Sequence, residues 1–184
     1  MADIIRGFDT GFNGAYAELS MKGEFVSAGI FSKTTASVPY ANLYELNASK
    51  KDKRRLSLVK QRHLYPYAVA SFVEETYLGQ RRSKKSVATT ERNFYATLMV
   101  ARANSKMTFL VRPKQWQQMF DGEYAYYDGG FDLSTISDTK RNGAAGLYKL
   151  GLLEHAVHKG TLHEGIIDAL CIAYFGVEYV RQQQ

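Results

Sequence analysis

The chain has 184 residues, of which 45% are hydrophobic and 23% charged, and its formal net charge is +6. This length predicts one well-buried domain spanning residues 1–184, and no apolar run approaches the ~20 residues of a membrane span. The N-terminus lacks a basic region followed by an apolar one, so we expect no signal peptide. The single cysteine, Cys171, excludes an internal disulfide and fits a reducing cytoplasm, and its apolar surroundings favour an inert buried thiol over a nucleophile.

Short strands are predicted at the start of the chain. The segments DIIRGFD, AYAEL and EFVSAGIFS are separated by turn residues, which predicts a three-stranded meander. A loop and a basic helical stretch at about residues 48–64 follow. The next segment, YAVASFVEETY, is apolar on both faces, as is typical of a central strand covered by helices.

Helices are predicted for much of the second half. One runs from an N-cap at Ser86 to about Ala103, and the strand KMTFLV leads into a short helix with Pro113 in its first turn. Residues 121–138 form an aromatic, Gly-rich loop, and two last helices span about 139–158 and 161–180. A meander that leads into βα units predicts an α/β fold, a mixed sheet with helices on both faces.

Positive charge is concentrated in two clusters, KKDKRR at 50–55 and RRSKK at 81–85. Such clusters suit a polyanion, because each neutralised phosphate releases counterions, although a solvated helix face or loop is the alternative. The residues that we predict to contact DNA are Lys50, Lys51, Lys53, Arg54, Arg55, Arg81, Arg82, Lys84 and Lys85.

Three acids occupy the ends of predicted strands. Asp9 precedes a turn in which Gly11 leaves room for a ligand, but an Asp there also caps turns. Glu74 and Glu75 end the central strand, where charge rarely occurs without a partner. Strand alternation sends them to opposite faces, so at most one reaches a shared site. In the alternative interpretation, both pair with arginines of the 81–85 cluster.

Two further acids lie one helical turn apart in TLHEGIIDALCIAYFG, although like charges at this spacing repel. For Glu164 a local explanation exists, because TLHE is a capping box with Thr161 as N-cap. Asp168 stands alone in an apolar helix and needs a cation or a hydrogen-bond donor. Whether Glu164 caps the helix or is part of a metal site stays open.

Acids on several elements of a basic protein favour divalent-metal chemistry. Mg²⁺ prefers carboxylate and water oxygens, and two ions roughly 3.5–4 Å apart can clamp the attacking and leaving oxygens of a phosphodiester. The four histidines lack a zinc-binding context, and neither a P-loop nor a G-x-S-x-G elbow occurs.

The stretches GFDTGFNGAYAEL, FVEETY and HEGIIDALCIAYFG, in this order, resemble the RuvC-type Holliday-junction resolvases of the RNase H-like superfamily, and among them the phage and chloroplast branch. The resemblance implies an RNase H-like fold with a five-stranded sheet and two Mg²⁺ ions per site, with Mn²⁺ as a substitute. It also implies the cytoplasm of a bacterial or phage-infected cell, or an organelle stroma for a processed plant protein.

The resemblance also implies the site residues. Glu74 is chosen over Glu75 because the family's ligand directly follows the apolar strand residue. Lys140, which opens the penultimate helix, matches a basic residue that contacts the scissile phosphate. The implied metal ligands are Asp9, Glu74, Glu164 and Asp168.

One departure concerns the paired acids. Bacterial relatives place the two acids three residues apart. In this chain the residue three positions before Asp168 is Gly165, and Glu164 lies four positions before it. The metal role of Glu164 therefore depends on the phage and chloroplast pattern.

These expectations converge on a Mg²⁺-dependent endonuclease that resolves four-way or branched DNA junctions by paired symmetric nicks. Two symmetric cuts favour a C2 homodimer. Tyr77, Phe94 and Tyr95 are candidates for stacking on unpaired bases, with burial in the core as the commoner outcome. Two alternatives stay open, a catalytically weak or inactive protein that binds branched DNA and a ribonuclease that acts on RNA–DNA hybrids.

Overall fold

A five-stranded sheet forms the centre of the molecule. In this computed structural model, residues 3–11, 14–30, 68–76 and 84–184 are described, without side-chain detail at 84–90, 92, 93 and 96. The strand order is β3-β2-β1-β4-β5, antiparallel from β3 to β1 and parallel from β1 to β5. The strands are β1 (Ile4–Asp9), β2 (Ala15–Ser20), β3 (Phe25–Ile30), β4 (Ala68–Glu74) and β5 (Ser105–Val111).

Helices cover both faces of this sheet. The described α-helices are α1 (Lys84–Ala103), α2 (Pro113–Gln117), α3 (Asp138–Lys149) and α4 (Glu164–Arg181). On one face Phe8 packs with Leu98 and Ala101 of α1, and on the other Ile5 belongs to the larger core that includes α4. Because neighbouring positions of β1 face different helices, the predicted mixed sheet with helices on both faces is confirmed.

A buried ion pair joins β1 and β2. Arg6 and Glu18 lie opposite each other on β1 and β2, both fully buried, with Arg6 Nε 2.6 Å from Glu18 Oε1. Arg6 also donates to the backbone oxygen of Asn104, at the junction of α1 and β5. The pair therefore ties the end of α1 to the centre of the sheet.

Helix α4 lies directly on β1 because Gly7 has no side chain. A Cβ atom at Gly7 would be 2.2 Å from the carbonyl oxygen of Ala169 and 2.3 Å from the amide nitrogen of Ala173. Only glycine allows this backbone contact. It sets Asp168, the neighbour of Ala169, beside the end of β1.

The penultimate helix is shorter than predicted. Helix α3 ends at Lys149, and Gly151 follows with φ +68°. The amides of Gly151 and Leu152 donate to the carbonyls of Tyr148 and Leu147, which is a Schellman motif. A 3₁₀ turn, Leu153–Ala156, occupies the residues that we predicted to continue the helix, so the predicted end near residue 158 is wrong.

The last helix also begins later than predicted. The two-residue strands β6 (Val157–His158) and β7 (Thr161–Leu162) form a hairpin, so the backbone of Thr161 is paired in a sheet and does not cap a helix. The N-cap is His163, whose Nδ1 accepts from the amide of Ile166 at 3.3 Å. The predicted capping box at Thr161 is therefore wrong.

The other boundaries lie close to the predictions. Helix α1 begins two residues before the predicted cap at Ser86 and ends at Ala103, and α2 begins at Pro113. The 121–138 loop contains only short 3₁₀ turns. The predicted helix at 48–64 lies outside the described residues. Within the described part of the chain, no helix has the length and apolar character needed to cross a membrane.

Candidate metal centre

Three carboxyl groups meet at the C-terminal edge of the parallel strands. Asp9 and Glu74 end β1 and β4, which run side by side with Phe8 opposite Val73. Asp168 reaches the same edge from α4. Asp9 and Asp168 are only 8% and 4% exposed, so water screens their charges poorly.

Strand alternation selects Glu74 rather than Glu75 for this edge. The indole Nε1 of Trp116, in α2, donates to Glu74 Oε1 at 3.3 Å. Glu75 lies in a more exposed position and pairs with Arg112, whose Nε is 3.4 Å from Glu75 Oε2. The prediction that the two acids separate is confirmed. The partner that the structure gives to Glu75 is Arg112, whereas the predicted partners, Arg81 and Arg82, lie outside the described residues.

Hydrogen bonds of Asp9 and Thr10 hold the end of β1 in place. Its Oδ1 accepts from the amide of Gly11 at 2.8 Å, which caps the turn after β1. The following residue, Thr10, has its hydroxyl 2.8 Å from that of Thr76 and 3.2 Å from the carbonyl oxygen of Glu74. These bonds join the ends of β1 and β4. The turn-capping interpretation of Asp9 is correct, and the same side chain still faces the other acids.

Burial and mutual repulsion keep protons on this group of acids. Burial raises the pKa of Asp9, which also shares a hydrogen bond with Glu74. Burial, and then repulsion by Asp9 and Asp168, raises the pKa of Glu74 to about 8. Burial raises the pKa of Asp168 to about 7, although Lys140 opposes that rise. At neutral pH without a metal ion, Glu74 is therefore mostly protonated and Asp168 about half protonated.

Lys140 is a cation that all three acids share. Its ammonium group contacts Asp168 Oδ2 and lies 5.9 Å from the centre of the Trp116 ring. Burial alone would lower the pKa of Lys140, but the charges of Asp168, Glu74 and Asp9 raise it above its ordinary value. The lysine is therefore charged and partly neutralises the site.

The donor atoms fit a hard divalent cation. Asp168 Oδ1 is buried and accepts no hydrogen bond from the described residues, and carboxylate oxygens are the ligands that Mg²⁺ prefers. In the side-chain arrangement of the described residues, however, no group of three or more His, Cys, Asp or Glu is placed to hold an ion. Because Lys140 contacts Asp168 Oδ2, metal binding would require this ion pair to open.

Glu164 is more exposed than the other acids, but its charge still contributes to the raised pKa of Asp168. It is the first residue of α4, it is exposed, and its Oε1 accepts from the backbone amide of Ser137 at 2.7 Å. Ser137 is the N-cap of α3, the helix that carries Lys140. Glu164 therefore links the N-termini of α3 and α4, and it does not form a capping box with Thr161. Its role as a metal ligand stays a prediction.

Two solved structures share this architecture along nearly the whole chain. T. thermophilus RuvC in complex with Holliday junction substrate matches with a TM-score of 0.53 and 14% identity, over 98% of this chain and 96% of that chain. A Thermus thermophilus RuvC structure matches over the same shares with a TM-score of 0.50 and 14% identity. The fold is RuvC-like.

The predicted fold class is therefore confirmed. No family model and no curated protein matches the sequence. Identity of 14% supports the fold alone, so the phage and chloroplast branch, the activity and the metal ions stay predictions.

A pocket of about 180 Å³ opens beside the acids. Two buried aromatic residues, Trp116 and Phe120, line it together with Lys140 and Asp168 of the acidic site. The remaining lining residues are small or polar: Gln117, Asp121, Thr139, Asn142 and Gly143.

The predicted DNA-contacting residues are mostly outside the described part of the chain. Lys84 and Lys85 begin α1, and their side chains are not among those described. Tyr77 also lies outside the described residues, whereas Phe94 of α1 packs against the smaller core cluster and Tyr95 is 60% exposed. The cluster residues outside the described ranges are Lys50, Lys51, Lys53, Arg54, Arg55, Arg81 and Arg82.

The resemblance matched Pro113 and Trp116 to a Pro and a Trp that follow the family's fifth strand, but it gave Trp116 no role in the site, and Ser137 was not considered. A signal existed for Trp116, because it is the only tryptophan and follows a strand that neighbours β4. No signal existed for Ser137, which contributes a backbone amide. That contribution depends on how α3 and α4 pack.

Proposed function

We propose that this protein is a Mg²⁺-dependent endonuclease that cuts four-way or branched DNA junctions by paired symmetric nicks. The observation that carries the proposal is the convergence of Asp9, Glu74 and Asp168 at one edge of a RuvC-like sheet, with one oxygen of Asp168 buried and unpartnered. The similarity in fold to T. thermophilus RuvC, whose structure holds Holliday junction substrate, supports the choice of substrate.

In this proposal Asp9, Glu74 and Asp168 hold the metal ions, and Glu164 completes the set of ligands. When bound, two Mg²⁺ ions, or Mn²⁺ in their place, supply positive charge at the attacking and leaving oxygens of the scissile phosphate. The proton-retaining acids give up their protons as the ions bind, so binding is favoured at higher pH.

The chain's own residues prepare the site before DNA arrives. The Gly11 amide fixes Asp9, and the indole of Trp116 fixes Glu74, so both carboxyl groups are oriented by groups behind them. Such orientation lowers the entropy lost when ligands assemble. Lys140, once released from Asp168, is placed to donate to a non-bridging oxygen of the scissile phosphate and to stabilise its added charge.

The assembly follows from the substrate. A four-way junction presents two equivalent strands, so a C2 homodimer with two sites is the natural enzyme. The basic clusters at 50–55 and 81–85 would hold the arms through phosphate contacts, which makes binding weaken steeply with salt.

The test is a cleavage assay with three labelled substrates of matched sequence, a four-way junction, a linear duplex and an RNA–DNA hybrid, each with Mg²⁺ or EDTA. We expect symmetric nicking of the junction, only with Mg²⁺. Binding without cutting would support the inactive DNA-binding alternative, and cleavage of the hybrid would support the ribonuclease.

Two variants test the acids, with a matched control. Asp9→Asn and Asp168→Asn should reduce the cutting rate by at least about 100-fold, while junction binding persists. That loss is larger than the effect of removing a residue that only hydrogen-bonds to a metal ligand. The control is Asp3→Asn, which removes the same charge at the opposite end of β1 and should cut normally. Near wild-type cutting by Asp168→Asn would remove the metal-site proposal.

A further inference from the structure

Three exposed tyrosines lie beside one another along α3. Tyr124 and Tyr126 belong to the 3₁₀ turn Glu123–Tyr126, and Tyr148 lies in the last turn of the helix. The three residues are 42%, 77% and 38% exposed, and we call them the tyrosine surface. Leu150, which follows the helix, is 39% exposed and extends the apolar area. Exposed apolar residues that occur as a group, rather than singly, mark an interaction site.

Contacts within the chain fix the conformation of the tyrosine surface. The hydroxyl of Tyr127 donates to the carbonyl oxygen of Phe131 and accepts from its amide, both at 3.0 Å. The Tyr127 ring packs edge-on against Tyr148, with 5.2 Å between the ring centres. The amide of Tyr124 donates to Asn142 Oδ1, in α3, at 3.0 Å. A surface that is formed in advance loses little conformational entropy when a partner binds.

The rings of this surface already attract cations. Arg141 Cζ lies 5.6 Å from the centre of the Tyr124 ring, and Lys149 Nζ lies 5.6 Å from the centre of the Tyr126 ring. At this distance the negative face of an aromatic ring attracts a positive charge. Because 77% of Tyr126 is exposed, its ring also has room for a cation from outside the chain.

The charges around the rings disfavour a polyanion as the partner. Residues 121–138 contain five acids and no Lys, Arg or His, in a chain whose net charge is +6. Two of these acids, Glu123 and Asp138, pair with Lys149 and Arg141. A nucleic acid could stack its bases on the rings but would meet like charge, whereas a cationic partner would be attracted. The other three acids are exposed: Asp121, Asp128 and Asp132.

We propose that the tyrosine surface binds an arginine-rich segment of a partner protein. Tyrosine and arginine are both enriched where proteins meet. A guanidinium group stacks flat on an aromatic ring and also pairs with a carboxylate through two parallel hydrogen bonds, which an ammonium group cannot do. Arginine should therefore bind better than lysine.

The tyrosine surface lies next to the candidate metal centre. Asn142, which holds the amide of Tyr124, is two residues beyond Lys140 in α3 and lines the pocket that Asp168 also lines. A partner on the tyrosine surface is therefore held beside the acids. The inference goes beyond the proposed nuclease activity and does not depend on it.

The first experiment measures binding of two fluorescently labelled peptides, nona-arginine and nona-lysine, to the 184-residue protein by anisotropy. We expect the arginine peptide to bind at least about 2-fold more tightly, which is the smallest gain that one cation–π contact at an exposed site supplies. Equal affinity for the two peptides, or no binding of either, would overturn the proposal.

Two variants of one ring test the aromatic contact. Tyr126→Ser should weaken binding of the arginine peptide by about 2- to 5-fold, whereas Tyr126→Phe keeps the ring and should bind as wild type does. Because Tyr126 is 77% exposed, neither change should alter the thermal midpoint of unfolding. Wild-type affinity in Tyr126→Ser would contradict the assignment of the ring.

Two triple variants test the charges. Replacing the three exposed acids of the loop by Asn should weaken binding by about 3- to 150-fold, the range that three exposed ion pairs supply. The control removes three exposed acids elsewhere and should keep wild-type affinity. Equal weakening by both triple variants would show only a response to net charge and would overturn the proposal. The loop variant is Asp121→Asn, Asp128→Asn and Asp132→Asn, and the control is Asp3→Asn, Glu24→Gln and Glu91→Gln.

Other occupants of the surface give different results with Tyr126→Ser. Binding of labelled single-stranded oligothymidine should be the same in wild type and in this variant. A weaker affinity for oligothymidine, with the affinity for the arginine peptide unchanged, would assign the surface to nucleic acid. Self-association in sedimentation experiments that Tyr126→Ser abolishes would assign it to a second copy of the chain. Either result would refute the proposal, and neither measurement depends on cutting.

Discussion

Asp168 makes the stability of the metal-free protein depend on pH, with a sign opposite to that of an ordinary ion-paired acid. The unfolded carboxyl group loses its proton near its usual pKa of 3.8, whereas burial keeps the folded group protonated until about pH 7. Between these values the unfolded chain binds fewer protons than the folded one. Stability therefore falls as the pH rises, and the loss is complete above about pH 7.

The magnitude follows from the two pKa values. The span from 3.8 to about 7 corresponds to roughly 4 kcal/mol of unfolding free energy, at ~1.36 kcal/mol per pH unit. In a chain of this length each kcal/mol changes the melting temperature by roughly 2–4 °C, so the fall is about 8–16 °C. Glu74, with a pKa of about 8, extends the fall to slightly higher pH.

Mg²⁺ should reverse this fall, because the ionised acids are its ligands. At a Mg²⁺ concentration 100 times the dissociation constant, the gain is about 2.7 kcal/mol, or roughly 5–11 °C. At pH 5 protons occupy the same oxygens, so we expect a much smaller gain.

The assay is thermal unfolding of wild type, Asp168→Asn and Asp3→Asn between pH 4 and pH 8, in EDTA and in Mg²⁺. Differences from wild type cancel the contributions of other titrating groups. Asp168→Asn should flatten the fall and lose most of the Mg²⁺ effect, whereas Asp3→Asn should follow wild type. A wild-type slope in Asp168→Asn, or equal Mg²⁺ effects at pH 5 and pH 8, would refute the reasoning.

Three further predictions concern residues around the acids. Gly7→Ala should destabilise the protein by about 1–3 kcal/mol in urea unfolding, because the new Cβ meets α4 backbone, and an unchanged midpoint would contradict the contact. Lys140→Met should tighten Mg²⁺ binding measured by calorimetry, because Asp168 loses its competing ammonium; unchanged or weaker binding would show that the lysine does not compete. Glu164→Gln should keep the hydrogen bond from the Ser137 amide, whereas Glu164→Ala should lose it at a cost of about 1 kcal/mol in stability. If the Glu164→Gln protein cuts junctions and the Glu164→Ala protein does not, Glu164 positions the two helices and does not bind metal.

The placement of the acids at the ends of β1 and β4 was predictable from the local sequence pattern. Period-2 alternation separates Glu74 from Glu75, and an apolar strand that ends in an acid locates Asp9 and Glu74 at the sheet edge. The boundaries of the last two helices were less predictable, because Gly151 and the hairpin at Thr161 compete with a continuous helical pattern.

The sequence by itself determined the order of strands and helices, the mixed sheet and the acids at strand ends, because these depend on residues near one another in the chain. Only the tertiary structure decided which groups meet. The contact of Lys140 with Asp168 and the bond from Ser137 to Glu164 join residues 28 and 27 positions apart. Both contacts depend on how α3 packs against α4, and such contacts arise from packing rather than from any local pattern.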